Sequence, residues 1–300
     1  MRPVRAVADP RPVQLPLAGG REGATVRLHP LRSGELRTPP EYLDRPPGPL
    51  GGVRGYASLL GPRKGWIALP VPAFLVEHPT AGPLLVDTGL HPAVADDPRG
   101  ELGRYIDARM DPEEAIRTQV LERGVDPKDI AVVVMTHLHV DHASGVREFP
   151  DASFLVTRAE MEAARRGGPR QGYRREHFEH DFDWRTIEFG DGVASYATFG
   201  RALDLFGDGS VRLVATPGHT PGHQSVLLRL GDREALLAGD AIYLRRQLDR
   251  DGPRPLIVSD GHLYRRSIQE IRLFGRQSPG ALLVPGHDPD VWPDLAEVYE

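Results

Sequence analysis

The sequence contains no cysteine, no long apolar run and no excess of basic residues. Without cysteine, disulfides, thiolate nucleophiles and cysteine-ligated metals are excluded, so any metal must be bound by nitrogen and oxygen. No segment approaches the roughly 20 apolar residues that span a bilayer, and residues 1–15 lack the apolar segment of a signal peptide. A net charge of −5 gives no electrostatic support for nucleic-acid binding. These absences predict a cytoplasmic protein with no nucleic-acid or membrane partner.

What the sequence does contain is a dense group of potential metal ligands. Residues 136–142 read Thr-His-Leu-His-Val-Asp-His and directly follow the apolar run 130–135, which predicts a buried strand. Imidazole nitrogens and carboxylate oxygens are the ligands that a divalent cation such as zinc takes in proteins. Because a strand end fixes the backbone, the short loop after it can direct several side chains towards one point; the alternative is a polar surface loop without a function. The four candidate ligands are His137, His139, Asp141 and His142.

Three further candidate ligands each follow a predicted strand, in a tight turn that contains glycine. They are His219, Asp240 and His287. Taken alone, a histidine in a Pro-Gly-His turn or an aspartate after glycine is more often structural. Because they follow the His-rich loop in order, they indicate that four loops meet at one edge of the fold and bring seven ligands together.

The pattern of apolar runs and amphipathic segments predicts an α/β fold. Short strands without clean alternation are typical of sheets that are covered on both faces. Strands come early and helices late in each half, so we expect two similar halves packed face to face with helices outside. This is a four-layer αββα sandwich with the active site at one edge of the sheets. Asp111-Pro-Glu-Glu114 is typical of a helix start, and helices are also predicted over 158–166 and 264–274.

Two segments have weak periodicity. Residues 1–50 hold ten of the 29 prolines, which predicts an N-terminal arm with one strand at 25–29, ahead of a main domain over 51–300. The arm is either loosely packed, or it borders the active site or wraps a partner subunit in a homodimer. Residues 163–186 are charged and aromatic, and form either a solvated excursion or a lid. Its His177 and His180 are expected at the surface rather than in a metal site.

The order of the seven ligands resembles the metallo-β-lactamase superfamily of hydrolases, over roughly Ile67 to His287. In that family an H-x-H-x-D-H loop is joined by one histidine, one bridging aspartate and a last histidine. The resemblance implies that His137, His139 and His219 bind a first metal, that Asp141, His142 and His287 bind a second, and that Asp240 bridges both.

The same resemblance implies roles for two supporting residues. Asp87, in the turn Asp87-Thr88-Gly89, is expected to orient a ligand histidine through its ring N–H. His223 matches a second Gly-His of the family and is expected to support the site, since all seven ligand places are filled without it.

Two divalent cations held in this way can share one hydroxide, because coordination lowers the pKa of water from about 15.7 towards about 7. Such a nucleophile attacks a carbonyl at neutral pH without serine or cysteine, and the cations also stabilise the oxyanion. Asp141, adjacent to both metals, is the expected proton shuttle to the leaving group. Zinc is the first expectation for the two metals, and manganese, iron or cobalt accept the same ligands.

Two segments, Thr216–Ser225 and Gly239–Tyr243, resemble the quorum-quenching N-acyl homoserine lactonases. The resemblance implies that Tyr243 hydrogen-bonds the lactone near its carbonyl, where a phenol suits an oxyanion site; a core aromatic is the alternative. The expected activity is opening of the ring of N-acyl-L-homoserine lactones. A thioesterase of the glyoxalase II kind and a phosphodiesterase of the same fold are the alternatives, and the basic stretch 165–175 is the one hint of the phosphodiesterase.

Overall fold

The computed structural model describes residues 9–103, 106–249 and 255–300, and two β-sheets form its centre. The strands are β1 Arg11–Pro12, β2 Arg27–Thr38, β3 Ile67–His78, β4 Gly82–Val86, β5 Asp107–Arg109, β6 Val132–Val134, β7 Ser153–Thr157, β8 Asp183–Ile187, β9 Ala202–Asp204, β10 Val211–Ala215, β11 Gln224–Arg229, β12 Glu234–Gly239 and β13 Leu282–Pro285. The α-helices are α1 Pro40–Leu43, α2 Gly51–Ser58, α3 Pro98–Leu102, α4 Ile116–Glu122, α5 Val140–Ala143, α6 Arg158–Arg166, α7 Arg175–Phe178 and α8 Gly261–Gln277.

The sheet topology explains why ligands that are distant in sequence meet. The first sheet has the order β1-β8-β7-β6-β4-β3-β2-β5, and the second has the order β13-β12-β11-β10-β9. Strands β4, β6, β7 and β8 run parallel. In the second sheet β10, β12 and β13 all point the same way. The carboxyl ends of parallel strands lie at one edge of a sheet, and every predicted ligand follows one of these strands.

Three apolar cores separate the layers. The sheets face each other across a core to which both contribute, for example Val86 from the first sheet and Leu237 from the second. A second core lies between the outer face of the first sheet and helices α4 and α6, and a third lies between the outer face of the second sheet and α8. The order helix–sheet–sheet–helix confirms the predicted αββα sandwich. Strand β6 is covered on both faces, which explains its uninterrupted valines.

The two halves differ in size because N-terminal residues add strands to the first sheet. The strand predicted at 25–29 extends over Arg27–Thr38 and lies between β3 and β5, so this sheet crosses the predicted boundary at residue 50. Leu28 and Leu31 on β2 are buried, so this part of the predicted arm is not loosely packed. Pro30 and Gly34 conceal the strand from a pattern search; Pro30 pairs with Phe74 in regular register, and a bulge between Arg32 and Glu35 accommodates Gly34.

The predicted helices are found; the one predicted over 264–274 extends over Gly261–Gln277, and the one predicted from Asp111 starts later. Helix α6 covers 158–166 as predicted, and its N-cap Thr157 accepts a hydrogen bond from the backbone N–H of Glu160. The sequence after Asp111 instead forms a 3₁₀ turn over Pro112–Glu114, and α4 begins only at Ile116 because Ala115 is extended. Among the helices that the structure describes, none is long and apolar enough to cross a membrane.

Candidate metal centre

Four loops bring all seven predicted ligands together, at the carboxyl-terminal edge of both sheets. The loop after β6 carries four of them, and the loops after β10, β12 and β13 carry one each. All seven side chains are buried. They form two groups, and within each group the ligand atoms lie within 4.8 Å of one another. The first group is His137, His139, His219 and Asp240, and the second group is Asp141, His142 and His287.

In the first group, three imidazole nitrogens face one carboxylate oxygen. Nε2 of His219 lies 2.9 Å from Nδ1 of His139 and 3.2 Å from Nε2 of His137. The same nitrogen is 3.2 Å from Oδ2 of Asp240. Burial lowers the pKa of all three imidazoles, for His139 to about 4, so each offers a neutral nitrogen lone pair. Bonds of about 2.0–2.1 Å to a tetrahedral zinc ion place its ligand atoms about 3.3 Å apart, so this group fits a divalent cation.

The second group, and the oxygen of Asp240 that faces it, include polar atoms that the protein itself leaves unsatisfied. Nε2 of His142 and Oδ1 of Asp240 are buried and have no hydrogen-bond partner among the described residues. Such groups are rare in folded proteins and suit a ligand role. Nε2 of His287 lies 3.3 Å from Oδ2 of Asp141. Burial by itself lowers the pKa of His142 and His287, but the nearby carboxylates outweigh burial and raise both.

Asp240 lies between the two groups with one oxygen towards each. Oδ2 faces His219, and Oδ1 is 3.1 Å from Nε2 of His287 and 3.4 Å from Nε2 of His142. Burial alone would raise the pKa of Asp240, but these histidines hold it well below its usual range. The carboxylate is therefore ionised and has the placement that a bridging ligand requires.

Asp87 orients His142 as predicted. Its Oδ2 lies 2.7 Å from Nδ1 of His142 and accepts a hydrogen bond from the hydroxyl of Thr136, also at 2.7 Å. Its Oδ1 accepts from the N–H of Thr136. Asp87 adopts a φ of 57°, which is uncommon for a residue other than glycine and is typical of functional sites. The fold thus holds this carboxylate in place at the end of β4.

Backbone carbonyls orient three of the other ligand histidines through their outer ring nitrogens. Nδ1 of His287 is 2.8 Å from the carbonyl of Pro70, and Nδ1 of His219 is 3.2 Å from that of Ile257. His139 donates to the backbone of Gln171. Contacts of this kind fix the ring tautomer, so the inner nitrogen of each ring keeps its lone pair for a ligand role.

His223 supports the site without joining either group. Its Nδ1 lies 2.9 Å from the hydroxyl of Thr216, and its Nε2 accepts a hydrogen bond from the N–H of Asp240 at 3.0 Å. A Cβ at Gly239, where φ is 52°, would come within 2.8 Å of that nitrogen. Both ring nitrogens are therefore used to place Asp240, which confirms the predicted supporting role.

Tyr243 contacts a ligand histidine, and Tyr42 packs against Tyr243. Tyr243 is buried, and its hydroxyl is 3.3 Å from Nδ1 of His219. Since the one proton on that nitrogen is also directed at the carbonyl of Ile257, the tyrosine oxygen shares it as a second acceptor, and the hydroxyl of Tyr243 hydrogen-bonds Tyr42. Tyr42, which sequence reasoning missed, meets the ring of Tyr243 edge-on, with centroids 6.2 Å apart. Burial, and then the charges of Asp141 and Asp240, raise the pKa of Tyr42. A single tyrosine among prolines carries no sequence signal for this position.

An open cleft of about 560 Å³ leads to His139 and Asp141. Its walls come from β2, from the segment around α1 and α2, and from residues 169–172 of the predicted lid. Part of the N-terminal segment therefore borders the candidate site. The apolar and aromatic side chains of the wall are Leu36, Tyr42, Tyr56, Leu59, Leu60, Ile106 and Ile257.

The histidines of the 163–186 segment take no part in the ligand groups that the described residues form. The prediction of a surface position is wrong for His177, which is buried, with Nε2 3.0 Å from the carbonyl of Glu101. Burial lowers its pKa to about 3, so the neutral ring donates one hydrogen bond that ties this segment to α3. The partner is 76 residues away in sequence, and no local pattern could reveal it.

Comparison with known proteins agrees with this geometry. Residues 66–287 match the metallo-β-lactamase superfamily. The N-acyl homoserine lactonase AttM of Azorhizobium caulinodans is 36% identical over 237 residues, which cover 76% of this chain and 85% of that protein. An N-acyl homoserine lactonase of a Bacillus species is 32% identical over 226 residues, which cover 73% of this chain and 82% of that protein.

Solved structures share the fold. An N-acyl homoserine lactone hydrolase with the product N-hexanoyl-L-homoserine bound at its catalytic metal centre has a TM-score of 0.73 and 24% identity, with 91% of this chain and 97% of that chain covered. The dizinc quorum-quenching lactonase AidC has a TM-score of 0.58 and 16% identity, with 92% and 90% covered. The matched residues and the identities to the curated relatives show that this chain belongs to the metallo-β-lactamase superfamily.

Proposed function

We propose that this protein is a metal-dependent hydrolase that opens the ring of N-acyl-L-homoserine lactones. The observation that carries the proposal is the arrangement around Asp240, where two buried ligand groups meet one carboxylate at the end of an open cleft. Relatives named as N-acyl homoserine lactonases, at 36% and 32% identity, direct the proposal towards lactones.

The donor set supports two divalent cations, with zinc as the first choice and manganese, iron or cobalt as alternatives. Asp240 would be shared between the groups because each of its oxygens faces one of them. Bound cations supply a water molecule of lowered pKa and polarise the carbonyl under attack. The remaining ligands would be His137, His139 and His219 for one cation and Asp141, His142 and His287 for the other.

Asp141 and Tyr243 are the proposed catalytic residues. Asp141 belongs to the second group and also lines the cleft, so its carboxylate can receive a proton from the attacking water. The water oxygen bonds to the lactone carbonyl carbon, the ring C–O bond breaks, and Asp141 returns the proton to the leaving alkoxide. The product is the open-chain N-acyl homoserine. The hydroxyl of Tyr243 would turn its proton from Tyr42 to the carbonyl oxygen and stabilise the oxyanion that forms there.

The apolar wall of the cleft supports an acyl substituent on the substrate. Leu59, Leu60 and Tyr56 bring apolar surface to the same cleft as Asp141, and Tyr56 and Leu60 are 51% and 78% exposed. Covering apolar surface is favourable by about 25 cal/mol per Å². A lactone ring held at the ligands could therefore place its acyl chain along this wall.

Of the arginines in the basic segment 165–175, Arg170 alone lines the cleft, so the segment offers the phosphodiesterase alternative one cation there. A phosphodiester requires free cationic groups at the site, but four of the five arginines of this segment form ion pairs. These pairs are Arg165–Asp9, Arg166–Glu162, Arg174–Glu176 and Arg175–Glu179.

A substrate panel with zinc-loaded protein tests the proposal. It contains homoserine lactones of several acyl lengths, simple γ- and δ-lactones, S-lactoylglutathione and a phosphodiester. We expect the highest kcat/KM for the homoserine lactones, with the ring-opened acid identified by mass spectrometry. Hydrolysis confined to S-lactoylglutathione or to the phosphodiester would contradict the proposal and support the corresponding alternative.

A further inference from the structure

A buried carboxylate that the proposed chemistry does not use lies between the ligand loops of the two sheets. Glu160, in the first turn of α6, is completely inaccessible to solvent. Glutamate is almost never buried to this extent unless its charge is compensated. Its recorded hydrogen bonds come from neutral donors, and these donors belong to the segments that carry or contact the histidines of the first group.

The hydrogen bonds of Glu160 join the loop after β6 to the loop after β10. Oε1 accepts from the N–H of Leu138 at 3.0 Å, and Leu138 is the residue between His137 and His139. Oε2 accepts from the N–H of Gly222 at 3.2 Å, three residues after His219. One carboxylate therefore sets the separation of two backbones that come from different sheets.

The contact between α6 and the second of these loops is too close for a side chain. A Cβ at Gly222 would come within 2.1 Å of the backbone nitrogen of Glu160 and 2.2 Å of Oγ1 of Thr157. That hydroxyl donates to the carbonyl of Gly222 at 2.7 Å and accepts from the N–H of Glu160 at 3.1 Å. The start of α6 is thus held against the loop that carries His219.

A third contact of Glu160 reaches His139 from the other side. The hydroxyl of Tyr173 donates to Oε1 at 3.1 Å. The ring of Tyr173 packs on the ring of His139, with centroids 4.9 Å apart at an angle of 60°. His139 therefore packs on a partner of Glu160, and His137 and His219 lie on the two loops that Glu160 joins.

We propose that Glu160 is a positioning residue, which sets the spacing of His137, His139 and His219 and thereby the affinity of the first group for a divalent cation. The second group has other supports, namely Asp87 and the carbonyl of Pro70. The larger effect of Glu160 is therefore expected at the first group. This inference rests on the proposed metal sites and is independent of which ester the protein hydrolyses.

Glutamine at this position has the shape of glutamate, but an NH₂ group that donates hydrogen bonds replaces one of the two oxygens that accept them. Both carboxylate oxygens of Glu160 face backbone N–H groups, and an amide offers only one acceptor oxygen. In either orientation, Glu160→Gln turns an NH₂ group towards the N–H of Leu138 or of Gly222. One of the two ligand loops must then move away.

The test is a zinc titration of the metal-free full-length protein in competition with a chromophoric chelator, which resolves two equivalents. We expect Glu160→Gln to weaken one equivalent by about 10- to 100-fold, the range typical of contacts behind a metal ligand, and to leave the other unchanged. The matched control is Glu162→Gln, two residues further along α6 and exposed, which should bind both equivalents as the wild type does.

Two results would overturn the inference. One is wild-type affinity for both equivalents in a Glu160→Gln variant with the wild-type circular dichroism spectrum. The other is an equal loss at both equivalents.

If Glu160→Gln does not fold, Tyr173→Phe decides the question, because it removes one hydrogen bond to Glu160 and keeps the ring on His139. A several-fold loss of zinc affinity at one equivalent is expected, and unchanged affinity overturns the proposal. A wild type that binds zinc but hydrolyses no lactone would contradict the proposed function alone.

Discussion

The two ligand groups use similar side chains but rest on different parts of the fold. The second group is supported by the first sheet, through Asp87 at the end of β4 and the carbonyl of Pro70 within β3. The first group is supported mainly from outside the sheets, through Gln171, Ile257 and Glu160. The first group therefore depends on how loops are held together, whereas the second group inherits its geometry from β-strands.

The pKa shifts of the histidines also differ between the two groups. Burial lowers the pKa of the three histidines of the first group, while carboxylates raise the pKa of both histidines of the second. The first group thus offers neutral nitrogens whose affinity depends on spacing. In the second group, the negative charge of the nearby carboxylates would add to the attraction for a cation. Substitutions that affect one group more than the other can test this contrast.

The largest effect is expected from Asp240→Ala, because among the described residues Asp240 alone has an oxygen towards each group. We expect lactone hydrolysis to fall by more than about 100-fold, beyond the range for contacts behind a ligand, and zinc content to fall at both groups. Hydrolysis rates and zinc per protein, measured by plasma emission spectroscopy, check this. Asp232→Ala, in the exposed turn between β11 and β12, is the control. Near-normal turnover in Asp240→Ala would exclude the dinuclear arrangement.

Tyr243→Phe should affect neither group and still slow the reaction. Losing one donor to an oxyanion typically lowers kcat by about 100-fold, and the hydroxyl is not placed among the ligand atoms. Steady-state kinetics together with the zinc titration separate the two effects. Tyr196→Phe, whose hydroxyl bonds Glu234 at 2.7 Å, controls for the loss of a tyrosine hydroxyl elsewhere. If zinc affinity falls in step with kcat, Tyr243 is a structural residue.

Asp87→Asn should weaken zinc binding at the second group, whereas Glu160→Gln should weaken it at the first. Replacing one oxygen by NH₂ disturbs the contact to Nδ1 of His142 and should weaken the second equivalent of zinc by about 10- to 100-fold. The double variant should show both losses, with the larger loss from Asp87→Asn at the second equivalent, because Asp87 contacts His142 directly and reaches His137 only through the hydroxyl of Thr136. A single equivalent weakened by both substitutions would show that the groups are not independently supported.

The smallest effect is expected at the wall of the cleft. Leu60→Ser removes apolar surface that lines the cleft and should raise KM for long-chain homoserine lactones by about three- to tenfold, since each buried CH₂ is worth about 0.8 kcal/mol. Short-chain substrates and both zinc equivalents should be unaffected. Leu121→Ser, at another exposed leucine, serves as the matched control. An equal rise of KM for every chain length would show that Leu60 does not contact the acyl chain.

The ligands could be predicted because each follows an apolar run that a strand pattern identifies, and parallel strands end at one edge. The supports of the histidines could not. Every residue has a backbone carbonyl, so nothing in the sequence distinguishes Pro70, Gln171 or Ile257 as partners. Tyr42 reaches the site only because β2 joins the first sheet, and Pro30 and Gly34 conceal that strand. These contacts depend on long-range packing, which local periodicity does not contain.

Gln171 and Ile257 each contribute to the site with two different parts. Their carbonyls orient His139 and His219, and both residues also line the cleft. A substitution at either position changes the side chain and leaves the carbonyl in place. The shape of the cleft wall can therefore change by single substitutions at these two positions while the contacts that orient the histidines stay in place.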